Sequence, residues 1–372
     1  MNTLHKLVIG VLGILFALPL RLEGTEVRNV GSGPLVFSEQ ILPVDESGVV
    51  VFSGNAYEQT KFVLAQAEEM LATYGTKLDR AARIHGCVSS SEVEKVARGI
   101  TDQIFPETPT TWVVSPLPVS GATIAVDVVA PAGSAPGADG AAILDSGVRY
   151  FVSGQAGREK DLKVATRVTM EQLQGTLQQY GRSLADAVQI KSFLLPMSDI
   201  AVAREVIESF FPKGNVPPLV FVEWQSSLPI EIELVAGGGK VAEDAEPVEY
   251  LTPEGMTSSP VFCRVVRVND APLVFLSGID GRGDTPGGRV RDVFARVEPL
   301  LQKGGSDLRH LAKATYYVST PEVSKALNEL RPDYYDPDRP PAASKAMVAG
   351  GGGKSDLTID LIAVGTAAMK EE

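Results

Sequence analysis

Three segments of the chain end in closely similar patterns. They read IAVDVVA from Ile124, IEIELVA from Ile230 and LTIDLIA from Leu357. The middle copy alternates apolar and charged residues, which is typical of a β-strand. Because an internal repeat dictates the architecture of the whole chain, this feature constrains the fold more than any other.

Two more landmarks recur in the same order. A Ser-Gly pair follows an apolar run at Ser53, Ser153 and Ser277. Apolar residues at three-and-four spacing then predict an amphipathic helix. Glycines at 75, 181 and 304/305 suit the ends of these helices, and a strand pattern follows each of them. Pro299 predicts a kink or an early end in the third of these helices.

A second helix is expected in each copy, over residues 91–105, 198–211 and 320–334, and two strands follow it. Ser91 and Glu94 form a capping-box pattern at the first of these helices. The chain therefore predicts three β-β-α-β-α-β-β units, at residues 25–132, 137–245 and 246–368. The linkers between them, 130–140 and 240–250, are rich in Gly, Pro, Ala or acidic residues.

Residues 1–24 resemble a signal peptide. The apolar run from Leu7 to Leu20 follows Lys6 and is shorter than the roughly 20 residues that a membrane-spanning helix needs. The prediction is export to the periplasm or the extracellular space. A membrane-tethered protein and a cytoplasmic protein are the alternatives.

Composition excludes several classes of function. The net charge is −12, and no basic stripe is present to track a nucleic acid. His85 and His310 outside the leader are interpreted as structural, so neither a metal site nor a Ser/His/Asp site is expected. Cys87 and Cys263 are interpreted as small buried hydrophobic residues, with a long-range disulfide as the alternative in an exported protein.

The sequence predicts no metal and no cofactor. The glycines of residues 350–354 precede Lys354, but Val348 stands where a phosphate-binding loop requires glycine. This segment also joins two predicted strands rather than a strand and a helix. It is therefore interpreted as a flexible turn.

The middle copy carries a resemblance to a known family. It contains FVSGQ from Phe151, ESFFP from Glu208 and LPIEIELVA from Leu228, and it resembles the reactive intermediate deaminase family (Rid, or RidA/YjgF). The resemblance extends in weaker form to the other two copies. Members are single α+β units, chorismate-mutase-like in fold, that form homotrimers with clefts between subunits. The resemblance implies an intramolecular pseudo-trimer in a monomeric chain.

The family's reaction is the hydrolysis of 2-imino acids or enamines to a keto acid and ammonia. The resemblance implies an Arg on the penultimate strand that binds the substrate carboxylate and a Glu on the last strand that positions water. The Glu position holds Ala125, Glu231 and Thr358, so Glu231 is the catalytic candidate. The Arg position is occupied by other residues in all three copies: Pro109 or Thr110, Leu219 or Val220, and Ala343.

The segments around the Ser-Gly pairs border the clefts in the family, so the resemblance makes them candidates for ligand binding. These candidates are Ser53, Gly54, Asn55, Ser153, Gly154, Gln155, Ser277 and Gly278.

Three functions stay open from the sequence. The first is a divergent protein that binds a small keto or imino acid near Glu231, a small-molecule carboxylate being the expected partner. The second is an active imine or enamine hydrolase that uses Glu231 with a different anion-binding group. The third is a structural or partner-binding scaffold whose clefts are closed by side chains such as Trp112 and Trp224. Ribonuclease activity is disfavoured because an acidic surface repels phosphate.

Overall fold

The structure is a computed structural model that describes residues 26–135, 137, 139–351 and 355–366. The predicted leader, residues 1–24, lies outside the described residues, as does Lys354 of the glycine-rich turn. Within the described residues, no helix combines the length and apolar character needed to cross a membrane.

The chain forms three successive groups of strands and helices. A short strand, β1 (Val27–Asn29), precedes the first group. Unit 1 then consists of β2 (Leu35–Ser38), α1 (Ala56–Thr73), β3 (Arg83–Val88), α2 (Ser91–Ile104), β4 (Thr110–Val114) and β5 (Ile124–Pro131).

The second group has the same order of elements. Strand β6 (Ala141–Leu144) precedes it. Unit 2 consists of β7 (Val148–Gln155), α3 (Leu162–Gln178), β8 (Ala187–Leu194), α4 (Ile200–Glu208), β9 (Leu219–Glu223) and β10 (Ile230–Gly237).

The third group is preceded by two strands, β11 (Val248–Leu251) and β12 (Val265–Asn269). Unit 3 consists of β13 (Leu273–Asp280), α5 (Pro286–Gly304), β14 (Leu311–Val318), α6 (Pro321–Leu330), β15 (Ala342–Met347), β16 (Gly350–Gly351) and β17 (Leu357–Val364). The expected α+β class is therefore confirmed.

The three units share one strand order. It runs β2-β5-β3-β4 in unit 1, β7-β10-β8-β9 in unit 2 and β13-β17-β14-β15 in unit 3. The last pair in each order is parallel, and the other pairs are antiparallel. The parallel pair is joined by the second helix, as a parallel connection requires.

The strand that precedes each unit pairs with a different unit. Strand β6, before unit 2, pairs with β2 of unit 1, and β12, before unit 3, pairs with β7 of unit 2. Strand β1, before unit 1, pairs with β13 of unit 3. Each sheet therefore contains a strand from a segment that was predicted to belong to another unit. These three exchanges of strands link the units in a cycle.

Each unit packs its two helices against its own sheet. In unit 1, for example, Val63 and Leu71 of α1 pack with Ile84 and Val126 of the sheet, and all four side chains are buried. Units 2 and 3 have equivalent clusters. This arrangement follows from the amphipathic pattern of the helices.

A further apolar cluster is shared by all three units. Phe37, Phe151 and Phe275 belong to it, and each pairs with the equivalent residue of its unit's last strand. A second shared cluster contains Cys87 and Phe193 with other residues of the three units. The apolar sheet faces left uncovered by helices are therefore buried against one another.

The helix ends agree with most of the local predictions. Gly75, Gly181 and Gly305 all have positive φ angles, as expected for glycines that end helices. The cap of α2 is Ser90 rather than Ser91, since the Ser90 side chain accepts from the backbone N–H of Val93. Helix α5 continues past Pro299 to Gly304, so the early end that Pro299 predicted does not occur.

The predicted Ser-Gly landmark of unit 1 was also wrong. Gln155 pairs with Ile232 and Ile279 pairs with Ile359, and the equivalent bridge in unit 1 joins Ile41 to Val126. The residues of unit 1 that correspond to Ser153-Gly154 and Ser277-Gly278 are therefore residues 39–40, Glu-Gln. Ser53 and Gly54 instead lie in a loop before α1, which is longer in unit 1 than the equivalent loops.

Candidate functional site

Equivalent backbone positions of the three units meet β4, β9 or β15 of another unit, the strand that is paired in parallel within its own unit. The backbone N–H of Gly154 donates to Ser344 Oγ of β15 at 3.0 Å, and we call this contact region junction 2–3. At junction 3–1, a Cβ on Gly278 would overlap the backbone carbonyl of Thr110 in β4. At junction 1–2, the backbone N–H of Gln40 donates to the carbonyl of Leu219 in β9 at 3.1 Å.

Junction 2–3 contains an open cleft of about 670 Å³. This volume lies within the range typical of small-molecule sites. The cleft is lined by Gly154, Gln155, Ala156, Arg158, Gln172, Gly175, Thr176, Gln179, Leu228, Glu231, Gly255, Met256, Thr257 and Arg264. Three residues singled out from the sequence, Gly154, Gln155 and Glu231, therefore come together there.

The absence of a side chain at Gly154 makes room for the Glu231 carboxylate. A Cβ at Gly154 would overlap Glu231 Oε1 and would lie 2.8 Å from its Cγ. Ser153 and Gln155 on either side are buried, and Gln155 Nε2 donates to Thr176 Oγ1 at 2.8 Å. Gly154 thus lets a carboxylate approach the backbone of β7 at the cleft wall.

Burial raises the pKa of Glu231, and the like charge of Glu233 raises it further, to about 7. Lys313, Arg264 and Lys345 act in the opposite direction. A carboxyl group with this pKa is partly ionised near neutral pH, so it can both accept and return a proton. This property is typical of a general acid–base residue.

The segment 252–264, between β11 and β12, covers one side of the cleft. The backbone N–H of Glu254 donates to Gln179 Oε1 at 2.7 Å, and Gln179 Nε2 donates back to the Glu254 carbonyl at 3.3 Å. Thr176 Oγ1 lies 3.7 Å from Met256 Sδ. Helix α3 therefore holds this segment in place by its side chains.

Arg264 at the end of this segment brings a positive charge into the cleft. Its Nε donates to the Thr257 carbonyl at 2.6 Å, and its guanidinium lies 5.0 Å from the centre of the Phe262 ring. The backbone N–H of Ser153 donates to the Arg264 carbonyl at 2.9 Å, which fixes the backbone of Arg264 against β7. The cleft therefore contains an arginine that belongs to neither of the two strands expected from the resemblance.

A lysine stands near the position where the resemblance expects arginine. Ala343 occupies that position, and Lys345 lies two residues later on the same face of β15. Lys345 Nζ donates to Ser324 Oγ and Asn328 Oδ1, both at 2.9 Å. Its charge acts on Glu231 electrostatically, but its hydrogen bonds direct it toward α6.

Junction 1–2 is closed by a side chain. Gln40 stands where unit 2 has Gly154, and its Nε2 donates to the Phe221 carbonyl at 3.0 Å. Ala125 stands where unit 2 has Glu231. Ala125 is fully buried, and the larger Gln40 side chain binds to the backbone of Phe221 in β9.

Junction 3–1 is closed by polar contacts. Thr358, which replaces Glu231 there, donates to Asp280 Oδ1 at 2.7 Å. Arg98 of α2 lies 3.4 Å from Asp280 Oδ2. The backbone N–H of Gly278 donates to Asp360 Oδ1 at 3.1 Å. The carboxylates at this junction therefore already have partners within the protein.

The remaining candidates lie away from the cleft. Asn55 caps α1, where its side chain accepts from the backbone N–H of Glu58. Gly54 donates to the Gly121 carbonyl within unit 1, and Ser277 is buried. Ser53, Gly54 and Asn55, which were predicted to border a cleft, lie in the loop before α1 and are not among the residues that line the cleft at junction 2–3.

The two tryptophans were expected to close clefts in a scaffold. Trp112 instead packs on Gly86 inside the core of unit 1, where a Cβ at Gly86 would overlap its ring. Trp224 packs near Phe193 in the second shared cluster, with 6.4 Å between ring centres. Both tryptophans are buried parts of apolar clusters.

Charged side chains of all three units form a buried layer behind the cleft. Asp127, Glu233 and Asp360 occupy equivalent positions on the last strands. Lys313 Nζ lies 2.7 Å from Glu233 Oε2. Arg83 lies 3.3 Å from Asp127 Oδ1 and 3.8 Å from Asp360 Oδ2. Paired in this way, the charges tolerate burial.

His85 belongs to this layer and is structural, as predicted. Its Nδ1 lies 2.6 Å from Asp127 Oδ2, and its Nε2 lies 3.1 Å from the Tyr317 hydroxyl. Burial lowers the pKa of His85, and the Lys191 ammonium lowers it further. The Asp127 carboxylate acts in the opposite direction and raises it. The neutral imidazole therefore links units 1 and 3 without facing the cleft.

Both cysteines, Cys87 and Cys263, are free and buried, so the disulfide alternative is not supported. Within the described parts of the chain, no three His, Cys, Asp or Glu side chains are grouped to hold a metal ion.

The fold and site define an α+β protein of three like units with an open cleft at junction 2–3. Residues 140–237, which comprise unit 2 and the strand before it, match the family model described as Endoribonuclease L-PSP (RidA/YjgF). A search of curated proteins found no match.

Solved structures of this family are similar to parts of the chain. A YjgF-family protein from Neisseria meningitidis is 22% identical, with 32% of this chain and 94% of that chain covered and a TM-score of 0.24. A YjgF/YER057c/UK114-family protein from Mycobacterium tuberculosis is 26% identical, with 26% and 83% covered and a TM-score of 0.24. RidA from a Psychrobacter species is 22% identical, with 24% and 80% covered and a TM-score of 0.23.

Sequence reasoning missed Arg158, Arg264 and Lys345. Lys345 could have been found, because the alternation of a strand places it on the same face as Ala343. No sequence pattern marks Arg264, since it follows an irregular segment and reaches the cleft only through the pairing of β12 with β7.

Proposed function

We propose that the chain binds a small 2-oxo or 2-imino carboxylate in the cleft at junction 2–3. The observation that carries this proposal is that Arg264 and Glu231 line the same cleft. In this arrangement the guanidinium binds the ligand carboxylate, and Glu231 lies near the carbonyl or imino end. Arginine suits this role because its planar fork of donors matches a carboxylate.

The binding proposal is tested by calorimetric titration with pyruvate and 2-oxopentanoate. Arg264→Ala should weaken binding by about ten- to a hundredfold, as expected for the loss of hydrogen bonds to a charged group. Arg80→Ala, at an exposed position of unit 1, is the matched control and should bind as the wild type does. A wild-type protein that binds neither acid would contradict the proposal.

Hydrolysis of a 2-imino acid is a second candidate function, favoured by the pKa of Glu231 near 7. In this reaction the Glu231 carboxylate accepts a proton from water while the water oxygen bonds to the imino carbon. The electron pair of the C=N double bond moves to nitrogen. Glu231 then returns the proton to nitrogen, which gives a carbinolamine. The Glu231 carboxylate next takes the proton of the carbinolamine hydroxyl and delivers it to the amino nitrogen as the C=O double bond forms and the C–N bond breaks, so that ammonia and a 2-oxo acid leave.

The hydrolase candidate is tested by generating 2-iminopropanoate in solution and following its decay. Glu231→Gln should remove the acceleration, because the amide cannot accept the proton, and should leave pyruvate binding nearly unchanged. If wild type and Glu231→Gln give the same rate of decay, hydrolysis by Glu231 is excluded. This result would leave the binding proposal intact.

We also propose that the three units form an intramolecular pseudo-trimer and that units 1 and 3 are divergent copies of the family domain. The cyclic strand exchange and the shared apolar clusters support this arrangement. The closed junctions 1–2 and 3–1 then have a structural role. The net charge of −12 disfavours RNA as a ligand of the whole assembly.

A further inference from the structure

Two arginines line the cleft at junction 2–3, and they come from different parts of the fold. Arg158 lies in the loop between β7 and α3 of unit 2, whereas Arg264 ends the segment that leads into β12. No carboxylate of the described residues lies within ion-pair distance of either guanidinium. Other arginines of the protein, such as Arg98, Arg267 and Arg289, are paired with carboxylates.

The unpaired state of these two arginines is informative because the chain is acidic. With a net charge of −12, carboxylates are abundant on the protein, yet among the described residues none lies within ion-pair distance of either arginine, and Glu231 acts on Arg264 only through its charge at longer range. Glu231 is the one carboxylate among the residues that line the cleft. The cleft therefore carries two positive charges and, at most, one negative charge.

Arg264 is pre-organised to bind one anionic group. Its Nε is engaged by the Thr257 carbonyl, and its guanidinium plane stacks near Phe262. No described residue accepts a hydrogen bond from its two terminal nitrogens. These nitrogens are the ones that form a two-point contact with a carboxylate.

Arg158 offers a second anion contact on the unit 2 side of the cleft. It is exposed, and its side chain forms no hydrogen bond with any residue in the described parts of the chain. Apart from these arginines and Glu231, the lining residues are neutral, with apolar surface from Leu228 and Met256. The cleft volume of about 670 Å³ exceeds what a three-carbon acid needs.

We infer that the cleft selects a ligand with two carboxylates, a dicarboxylic 2-oxo or 2-imino acid, with one carboxylate on Arg264 and the other on Arg158. The inference rests on the proposed function, since it specifies which class of acid the same site takes. A neutral spacer of a few carbons between the carboxylates then packs on the apolar part of the lining.

The experiment compares two acids of the same chain length. 2-Oxoglutarate and 2-oxopentanoate both have five carbons and differ in one terminal carboxylate. Titration calorimetry should give a Kd at least about tenfold lower for 2-oxoglutarate, as expected for one charge-assisted contact. Arg158→Ala should bring the ratio of the two Kd values close to one, whereas Arg264→Ala should weaken both acids.

Arg167→Ala is the control, because Arg167 is an exposed arginine of α3 that does not line the cleft. It should keep the preference for 2-oxoglutarate. Loss of the preference in this control, or its persistence in Arg158→Ala, would overturn the inference and leave the binding proposal standing. So would equal affinity of the wild type for the two acids. If the wild type binds neither acid, the binding proposal itself fails.

Discussion

Junctions 2–3 and 1–2 are built on the same two equivalent strand positions, but the small and the large residue have changed places between them. Unit 2 has Gly154 and Glu231, so the missing side chain makes room for a carboxylate at an open cleft. Unit 1 has Gln40 and Ala125, so the long side chain lies at the first position and binds Phe221 of the neighbouring strand. The two positions exchange volume while the backbone keeps its register.

This difference shows how one fold supports an open site and a closed junction within a single chain. A homotrimer must place the same residues in all three clefts, whereas three linked units can diverge separately. The open cleft also has a covering segment, residues 252–264, that supplies Arg264. The site therefore depends on one junction, and the other two are free to become structural.

The largest expected effect is a loss of stability that differs between Gly278 and Gly154, the two glycines at equivalent positions. Gly278→Ala should destabilise the protein by about 3 kcal/mol or more, because its φ is +66° and the new Cβ would overlap the Thr110 carbonyl. Gly154→Ala should cost about 1 kcal/mol, because the flexible Glu231 side chain can move away. Urea unfolding followed by circular dichroism measures both. Equal losses would show that the two junctions do not differ in this way.

A smaller effect tests the exchange of volume between the two positions. Gly154→Gln alone should cost about 2 kcal/mol by crowding Glu231. Adding Glu231→Ala recreates the residue pair of unit 1 and should recover about 1 kcal/mol or more, since neighbouring substitutions couple. Gly154→Gln with Glu159→Ala is the control, because Glu159 is exposed and should give no recovery. If the stability effects of the single substitutions simply add in both double variants, the two positions do not exchange volume.

The smallest effect concerns pH and applies to junction 2–3. The pKa of Glu231 is raised from 4.5 to about 7, so between these values the unfolded chain releases a proton that the folded protein keeps. Stability from this group is therefore present below pH 4.5 and is lost as pH rises through about 7. Glu231→Gln should remove this loss, which is on the order of 1 kcal/mol for a partly exposed carboxyl group.

Melting temperatures of Glu231→Gln and wild type, measured from pH 5 to pH 8, provide the check. The variant should gain stability relative to wild type as the pH rises. Glu159→Gln, at an exposed position, is the matched control and should run parallel to wild type. A constant difference between Glu231→Gln and wild type across this range would contradict the raised pKa.

Much of the fold could be read from local patterns. Helix periodicity, the glycines at 75, 181 and 305 and the alternating strands all depend on residues close in sequence, and the structure contains these elements. The prediction that Ser53 marks the repeat in unit 1 was wrong, because the register of strand pairing decides which residues are equivalent. A Ser-Gly pair looks the same in a loop and at a strand end, and only the bridge of Ile41 to Val126 shows which residues are equivalent.

The candidate site was predicted in part. Gly154, Gln155 and Glu231 were found because the strands that carry them have recognisable patterns. Arg158 and Arg264 were missed because each follows irregular backbone, where spacing in the sequence does not tell which way a side chain lies. The exchange of β12 into the sheet of unit 2 brings Arg264 beside β7.

The sequence by itself determined the kind of unit and its repetition, because hydrophobic period and helix capping act over a few residues. It also determined that one unit alone carries a carboxylate at the position of Glu231. Only the tertiary structure decided which cleft stays open and which cations reach it. Those outcomes depend on side chains from strands and loops of different units packing within a few ångströms, and no local pattern encodes such contacts.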